Sequence, residues 1–283
     1  MATYLTPRFT NDTDPQQARK LQWDNVSEHI WETGVSYAVL YLQDSKAPSS
    51  AVTIHVPNSY GVGTAATNDL TLDSEQPYYG GVAWNGLTGV TESPDGADTE
   101  DTYANNAKYL SIRAVENLNG TITAYTYPDE FAACDGTIMV EATTAGSTQK
   151  NRVRIKQQAR KAFGLCYRTE EGNDTESQSY AYRLHLVYGA TCSPSDKDYT
   201  TINDSPEAVE FSWEFETTPI DMTDLDATAS AKSACIEIAS LDVAQADMEN
   251  LEACLYGQNS GTGTSGSVPF LPTPEQIATL LLY

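Results

Sequence analysis

A mainly β fold with one flanking helix is the class this sequence predicts, and three features predict it. Strand-like segments bounded by Gly, Pro, Asn or Ser recur from Thr33 onward. The stretch AVEFSWEFETT alternates between apolar and mostly acidic residues, the period of a strand with one dry face. Only one long segment, near residues 243–256, carries helical apolar spacing ending in a glycine.

Residues 1–30 are polar and weakly patterned and read as an N-terminal arm, with at most a short helical turn after Asp14-Pro15. The main β domain is expected over residues 31–257. GVSYAVLYLQ and SAVTIHV are its first strands, and AKYLSIRAV and TITAYTY follow. Asn119-Gly120 between the last two predicts a hairpin turn, because both residues tolerate positive φ. YPDEFAAC reads as a short helical turn opened by Pro128. KAFGLCYR and YAYRLHLVYG form a second hairpin-like pair around a polar loop from Thr169 to Ser179.

In AVEFSWEFETT, Val209, Phe211, Trp213 and Phe215 point one way and Glu210, Ser212, Glu214 and Glu216 the other. A slip of one residue drives three glutamates into the core, so the register is firmly specified. The helix near 243–256 starts from a capping-box-like Asp242 and Gln245 and presents Ala244, Met248, Leu251 and Leu255 as a stripe.

Residues 258–283 are a linker and a C-terminal arm. QNSGTGTSGS has the composition of a flexible tether. Beyond it, Thr273 is placed to cap and Pro274 suits a first helical position, and Phe270, Leu271, Ile277, Leu280 and Leu281 are candidate docking residues. Such an arm fits a groove on its own body or on a neighbour's, and both remain open. Deleting Ser267 to Tyr283 is expected to leave a folded protomer with impaired stacking onto its neighbours.

The chain has 39 acidic residues against 16 basic ones, a formal net charge of −23. That surplus repels polyanions and argues against binding nucleic acid through its phosphates. No leader-like segment and no apolar run long enough to span a bilayer is visible, so no membrane anchor is expected. Five scattered cysteines without a C-x-x-C pair suit buried, reduced thiols.

Catalytic and cofactor motifs are near misses. Gly61 to Ala66 fits a glycine-rich nucleotide loop only formally, because no helical pattern follows before Pro77. His29, His55 and His185 lack ligand spacing. A Cys166–His185 dyad is the single nucleophilic pairing to test, although both read as ordinary strand interiors. Neither an enzyme, a cofactor nor a bound metal is expected.

TESPDGADTEDTYANN puts Glu92, Asp95, Asp98, Glu100 and Asp101 into ten residues with no base among them. The spacing fails the EF-hand template, since Gly does not fall at the sixth position from either candidate start. The stretch reads as a solvated loop between strands, with an irregular calcium site as the other reading.

Several longer stretches carry a resemblance: GVAWNGLTGVTESPDGADTEDTYANNAKYL, GTITAYTYPDEFAACDGT, KAFGLCYRTEEGNDT, YRLHLVYGA and TINDSPEAVEFSWEFETTPI. Together with LEACLYG and its Pro-flanked apolar tail, they resemble the major tail protein family of long-tailed phages and prophages of Gram-positive bacteria. The likeness runs from about residue 20 to the end, and residues 43–76 are longer and more polar than the family pattern. The resemblance implies a β-sandwich or flattened barrel of the tail-tube type, with one flanking helix and extended N- and C-terminal arms. It implies a virion structural protein made in the host cytoplasm. Six copies would form a ring, and stacked rings would form the hollow tube. Implied partners are further copies of itself, other tail proteins such as the tape measure and terminator, and phage DNA as repelled cargo. Glu210, Glu214 and Glu216 would line the lumen or form a solvated outer face. The acid loop would face the lumen or pair with a neighbour's basic residues. The other reading is a different tail-tip, baseplate or surface-binding β module.

Overall fold

The computed structural model describes residues 29–43, 52–54, 70–72, 76–96, 100–112, 116–143, 150–175, 177–197, 199, 201, 208–225, 232–258 and 267–282. The N-terminal arm before residue 29, the glycine-rich run at 61–66, His55, Asp98 and the tether at 259–266 lie outside the described residues.

The fold is mainly β and built on one large antiparallel sheet. Its strands, in chain order, are β1 (Ile30–Leu42), β4 (Val82–Ala83), β5 (Leu87–Asp95), β8 (Asn117–Ala124), β11 (Phe163–Asn173), β12 (Ser177–Cys192), β13 (Phe211–Thr217) and β16 (Cys235–Ala239). They pair in the order β4-β1-β11-β12-β13-β8-β5, and β16 adds to β12. Two-stranded ribbons complete the β structure: β2 (Val52–Ile54) with β3 (Leu70–Leu72), β6 (Glu100–Ala104) with β7 (Ala107–Ile112), β9 (Ile138–Thr143) with β10 (Lys150–Ile155), and β14 (Ile220–Asp221) with β15 (Lys232–Ser233). Helices α1 (Gln245–Tyr256) and α2 (Pro274–Leu281) follow.

The expected alternation in β13 is present: Trp213 and Phe215 are buried while Ser212, Glu214 and Glu216 are exposed. The β11–β12 hairpin is also present, but the strands consume most of the predicted polar loop, with a turn at residues 174–175. The sheet curls. Glu92 of β5 touches Tyr167 of β11, four strands away in the pairing order. In a flat sheet that separation is roughly 19 Å. Curling encloses a core of Leu40, Trp84, Ile122, Phe163, Trp213 and Phe215 with their neighbours, and the short 3-10 helix Asp129–Ala133 seals it through Phe131.

A second core lies on the opposite face of β1, β11 and β12. Tyr41, Cys166, Leu184, Leu186 and Tyr188 point outward there and are covered by α1 and α2 through Met248, Leu251, Leu255, Ile277 and Leu280. These strands are therefore apolar on both faces, as a sheet buried on both sides requires.

Asn119-Gly120 is not a turn. Both residues lie inside β8, paired to Ser93 and Glu92 on one side and to Glu216 and Phe215 on the other. Glycine is needed at 120 for close approach instead, because a Cβ there would stand 2.4 Å from the Phe215 ring and 2.5 Å from the Thr91 carbonyl oxygen. The turn that uses positive φ is Asn105-Asn106, at 53° and 60°, joining β6 to β7.

Helix α1 begins later than the Asp242 reading requires. Ala244 is its N-cap, without a side-chain hydrogen bond, and Asp242 sits in the preceding turn, its amide donating to the Ala239 carbonyl. Met248, Leu251 and Leu255 are buried as the stripe predicts, but Ala244 is exposed.

The C-terminal arm is not extended over its length, and a second helix is present. Thr273 caps α2 through a capping box with Gln276, and Pro274 opens it. The arm is docked on its own body: Phe270, Leu271, Ile277 and Leu280 are buried and Leu281 is half-buried. Phe270 N–H donates to the Cys254 carbonyl at 2.8 Å, and Leu271 N–H to that of Tyr78 at 3.0 Å. Tyr188 donates its hydroxyl to the Pro272 carbonyl at 2.9 Å. Each large apolar side chain buried here contributes roughly 1.5–3 kcal/mol. Removing the arm therefore opens the second core, contrary to the expectation that the protomer folds without it.

Candidate functional site

Strands β13, β8 and β5 leave one face of the sheet without a helical cover among the described residues. On it Glu214 stands opposite Thr121, and Glu216 opposite Asn119. A shallow cleft of about 200 Å3 runs between Ser93, Asn119, Gly120, Thr121, Ser193, Glu214, Phe215 and Glu216, with no basic residue among its lining. Glu210 precedes β13 and accepts a hydrogen bond from Thr88 Oγ1 at 2.6 Å. All three glutamates proposed from the β13 pattern thus belong to the uncovered side, and all three are exposed.

The acid stretch is not a single loop. Glu92 and Asp95 lie in β5, Glu100 and Asp101 in β6, and Asp98 falls outside the described residues. Regular pairing with β8 places the first two, and of them Asp95 lies on the face that meets water. Asp95 accepts a long hydrogen bond from Asn119 at 3.4 Å. Asp101 receives Lys108 at 2.6 Å and Ser111 at 2.7 Å, and these two contacts hold its carboxyl below the usual range.

Glu92 departs from its neighbours by turning toward the interior. It accepts from the Tyr167 hydroxyl and stands 3.7 Å from His185 Nδ1 and 3.9 Å from Cys235 Sγ. On the other side of the imidazole, Nε2 is 2.9 Å from Thr169 Oγ1 and 3.5 Å from Glu32. The ring stacks on Tyr167 at 4.7 Å between centroids, nearly parallel. Arg183, two residues earlier, pairs with Glu171 and Glu237, and those contacts hold its guanidinium more firmly charged than usual. Burial first, and Glu92 second, push the Tyr167 phenol up.

This mixed-charge cluster joins β1, β5, β11, β12 and β16. Arg183 and His185 were visible in sequence as a polar alternation, but their partners come from four other strands. Its chemistry is cohesive rather than reactive. Cys166 faces the helix-covered core while His185 faces Tyr167 on the opposite side, so the Cys166–His185 dyad does not form. Burial pushes the Cys166 thiol up to about 12, and burial together with Glu92 does the same for Cys235. Neither is a thiolate nucleophile near neutrality. Among the described residues, no group of three His, Cys, Asp or Glu side chains converges to hold a metal ion. No described helix is long and apolar enough to cross a membrane.

No protein-family model matches the chain, and no curated protein matches it.

Proposed function

We propose that the chain is the building block of a phage-type tail tube, polymerising as stacked hexameric rings around a bore that conducts DNA. One observation carries the reading: among the described residues, half of a curled antiparallel sheet keeps an acidic face with no helix over it and no base in its cleft, and that half ends in the nine-residue strand β5, which hydrogen-bonds to β8 alone. An isolated edge of this length invites pairing with another chain, and ring closure removes it. Six such faces turned inward would give a wall that repels phosphates, whereas a basic wall would retain them. In this reading Glu210, Glu214 and Glu216 face the bore.

Electron microscopy of the concentrated protein tests the assembly. Rings and hollow tubes support the reading. A stable monomer with affinity for a host glycan would favour a surface-binding β module instead. Replacing Glu210, Glu214 and Glu216 together with lysine tests the bore. Tubes should persist while DNA transit slows or stalls, and normal ejection would remove these residues from the lumen.

A further inference from the structure

His185 stands between two strands of the large sheet that no backbone ladder joins. Ahead of Val39, β1 pairs with β11 alone, and β5 pairs with β8 alone, among the described residues. The imidazole spans the space between them. Glu32 of β1 lies 3.5 Å from Nε2, and Glu92 of β5 lies 3.7 Å from Nδ1.

Hydrogen-bond direction fixes which ring nitrogen carries the first proton. Thr169 donates its hydroxyl proton to Glu32, since a carboxylate only accepts. The Thr169 oxygen, 2.9 Å from Nε2, therefore accepts from the ring, and Nε2 holds a proton. A neutral ring then turns the bare lone pair of Nδ1 toward the Glu92 carboxylate. Only the doubly protonated ring presents an N–H there.

The surrounding groups leave that role to His185. Arg183 of β12 is taken by Glu171 of β11 and Glu237 of β16, with Glu32 at 3.9 Å. No Lys or Arg pairs with Glu92 among the described residues; its Oε1 accepts from Tyr167 and stands 3.9 Å from Cys235 Sγ. Burial and Glu92 push both that phenol and that thiol up, so neither loses its proton near neutrality. Glu32, Glu92, Glu171 and Glu237 thus meet one guanidinium and one imidazole. Imidazole is the side chain that ordinarily changes charge between about pH 5 and 8. His185 is 8% exposed, so water offers little replacement for a lost proton.

We infer that His185 is a pH-sensitive latch that holds the end strand β5 onto the middle of the sheet. With both nitrogens protonated, the ring bridges Glu32 and Glu92 and closes the polar end of the curl. When Nδ1 loses its proton, Glu92 faces a lone pair amid other carboxylates, and β5 is held by its ladder to β8 alone. The closed form binds a proton that the open form releases, so closure is favoured at low pH and weakens as pH rises through the imidazole range. The latch belongs to a single protomer and stands whether or not the chain builds a tube.

Nitrogen NMR and hydrogen exchange on the same protein test it. At about pH 5, both His185 ring nitrogens should carry protons, and a ring protonated on Nε2 alone overturns the latch. Protection of the β5–β8 ladder amides near Glu92, corrected for intrinsic exchange, should fall about tenfold from about pH 5 to 8. Flat wild-type protection overturns it too. His185→Gln and Glu92→Gln should each remove most of that slope while near-ultraviolet circular dichroism stays unchanged. Both variants keep His29, which pairs with Asp174 at 3.0 Å. A slope that survives in both assigns the effect to another group and overturns the inference. Should His185→Gln fail to fold, Glu92→Gln, at a partly exposed side chain, decides alone.

Discussion

The two halves of the large sheet share one core and differ in what lies over the opposite face. Strands β1, β11 and β12 carry Tyr41, Cys166, Leu186 and Tyr188 outward, and α1 with α2 covers them. Strands β13 and β8 carry Glu214, Glu216, Thr121 and Asn119 in the equivalent positions, and among the described residues no helix covers those. The covered half is where stability is concentrated, and the uncovered half is where a surface has been left available for a partner or for solvent. Substitutions should therefore act on folding in one half and on function alone in the other.

Removing residues 268–283 should break the comparison most severely. Phe270, Leu271, Ile277 and Leu280 together represent roughly 6–12 kcal/mol of burial, comparable with the whole stability of a typical domain. The truncated chain should lose its near-ultraviolet circular dichroism and its cooperative urea transition. A native-like transition would mean that α2 is an accessory. Phe270→Ala alone should cost about 3–5 kcal/mol in the same measurement.

Gly120→Ala probes the boundary where the uncovered half meets the shared core. The added methyl meets both the Phe215 ring and the Thr91 carbonyl, so a loss of about 3 kcal/mol is expected in urea denaturation. If Asn119-Gly120 were a surface turn, the cost would instead come from strained φ, and Gly120→Asn would be tolerated. In a strand interior both substitutions should destabilise.

Alkali should loosen both cores. Burial raises the Cys166 and Cys254 thiols from the ordinary 9.0 to about 12, and it raises the Tyr41 and Tyr188 phenols as well; all four lie in the helix-covered core. Unfolded thiols lose their protons first, so their contribution is complete below about pH 9 and is lost as pH rises toward 12. Burial also pushes up the Cys134 and Cys192 thiols of the curled core, so hydrogen exchange followed across that range should show α1, α2, β13 and β8 losing protection together. The smallest effect is expected on the acidic face, where Glu214→Gln with Glu216→Gln should change stability by less than about 0.5 kcal/mol. A large loss there would show that the face is structural.

Much of this contrast could be read from local pattern. The β13 alternation names its wet and dry faces, and Thr273-Pro274 with Gln276 announces a helix start, because capping and pleating are decided within a few residues. Other features could not be read that way. Gly120 has the same identity in a turn as in a strand, and only the approach of Phe215, nearly a hundred positions away, shows that space rather than φ requires it. Asp242 and Gln245 have capping-box spacing, yet the local backbone starts the helix after Ala244. The Glu32, Glu92, Glu171, Arg183, His185 and Glu237 cluster draws on five strands, and no spacing rule links them.

The sequence by itself determined the mainly β class, the alternating register of β13, the apolar stripe of α1, the capping signal that opens α2 and the acidic surplus, since each follows from short-range periodicity or from composition. Only the tertiary structure decided which acids face outward, that Glu92 turns inward, that the C-terminal arm closes a core on its own chain, and that His185 meets both Glu32 and Glu92. Those outcomes depend on which distant strands meet, and a curled sheet brings together residues whose separation along the chain carries no signal of their contact.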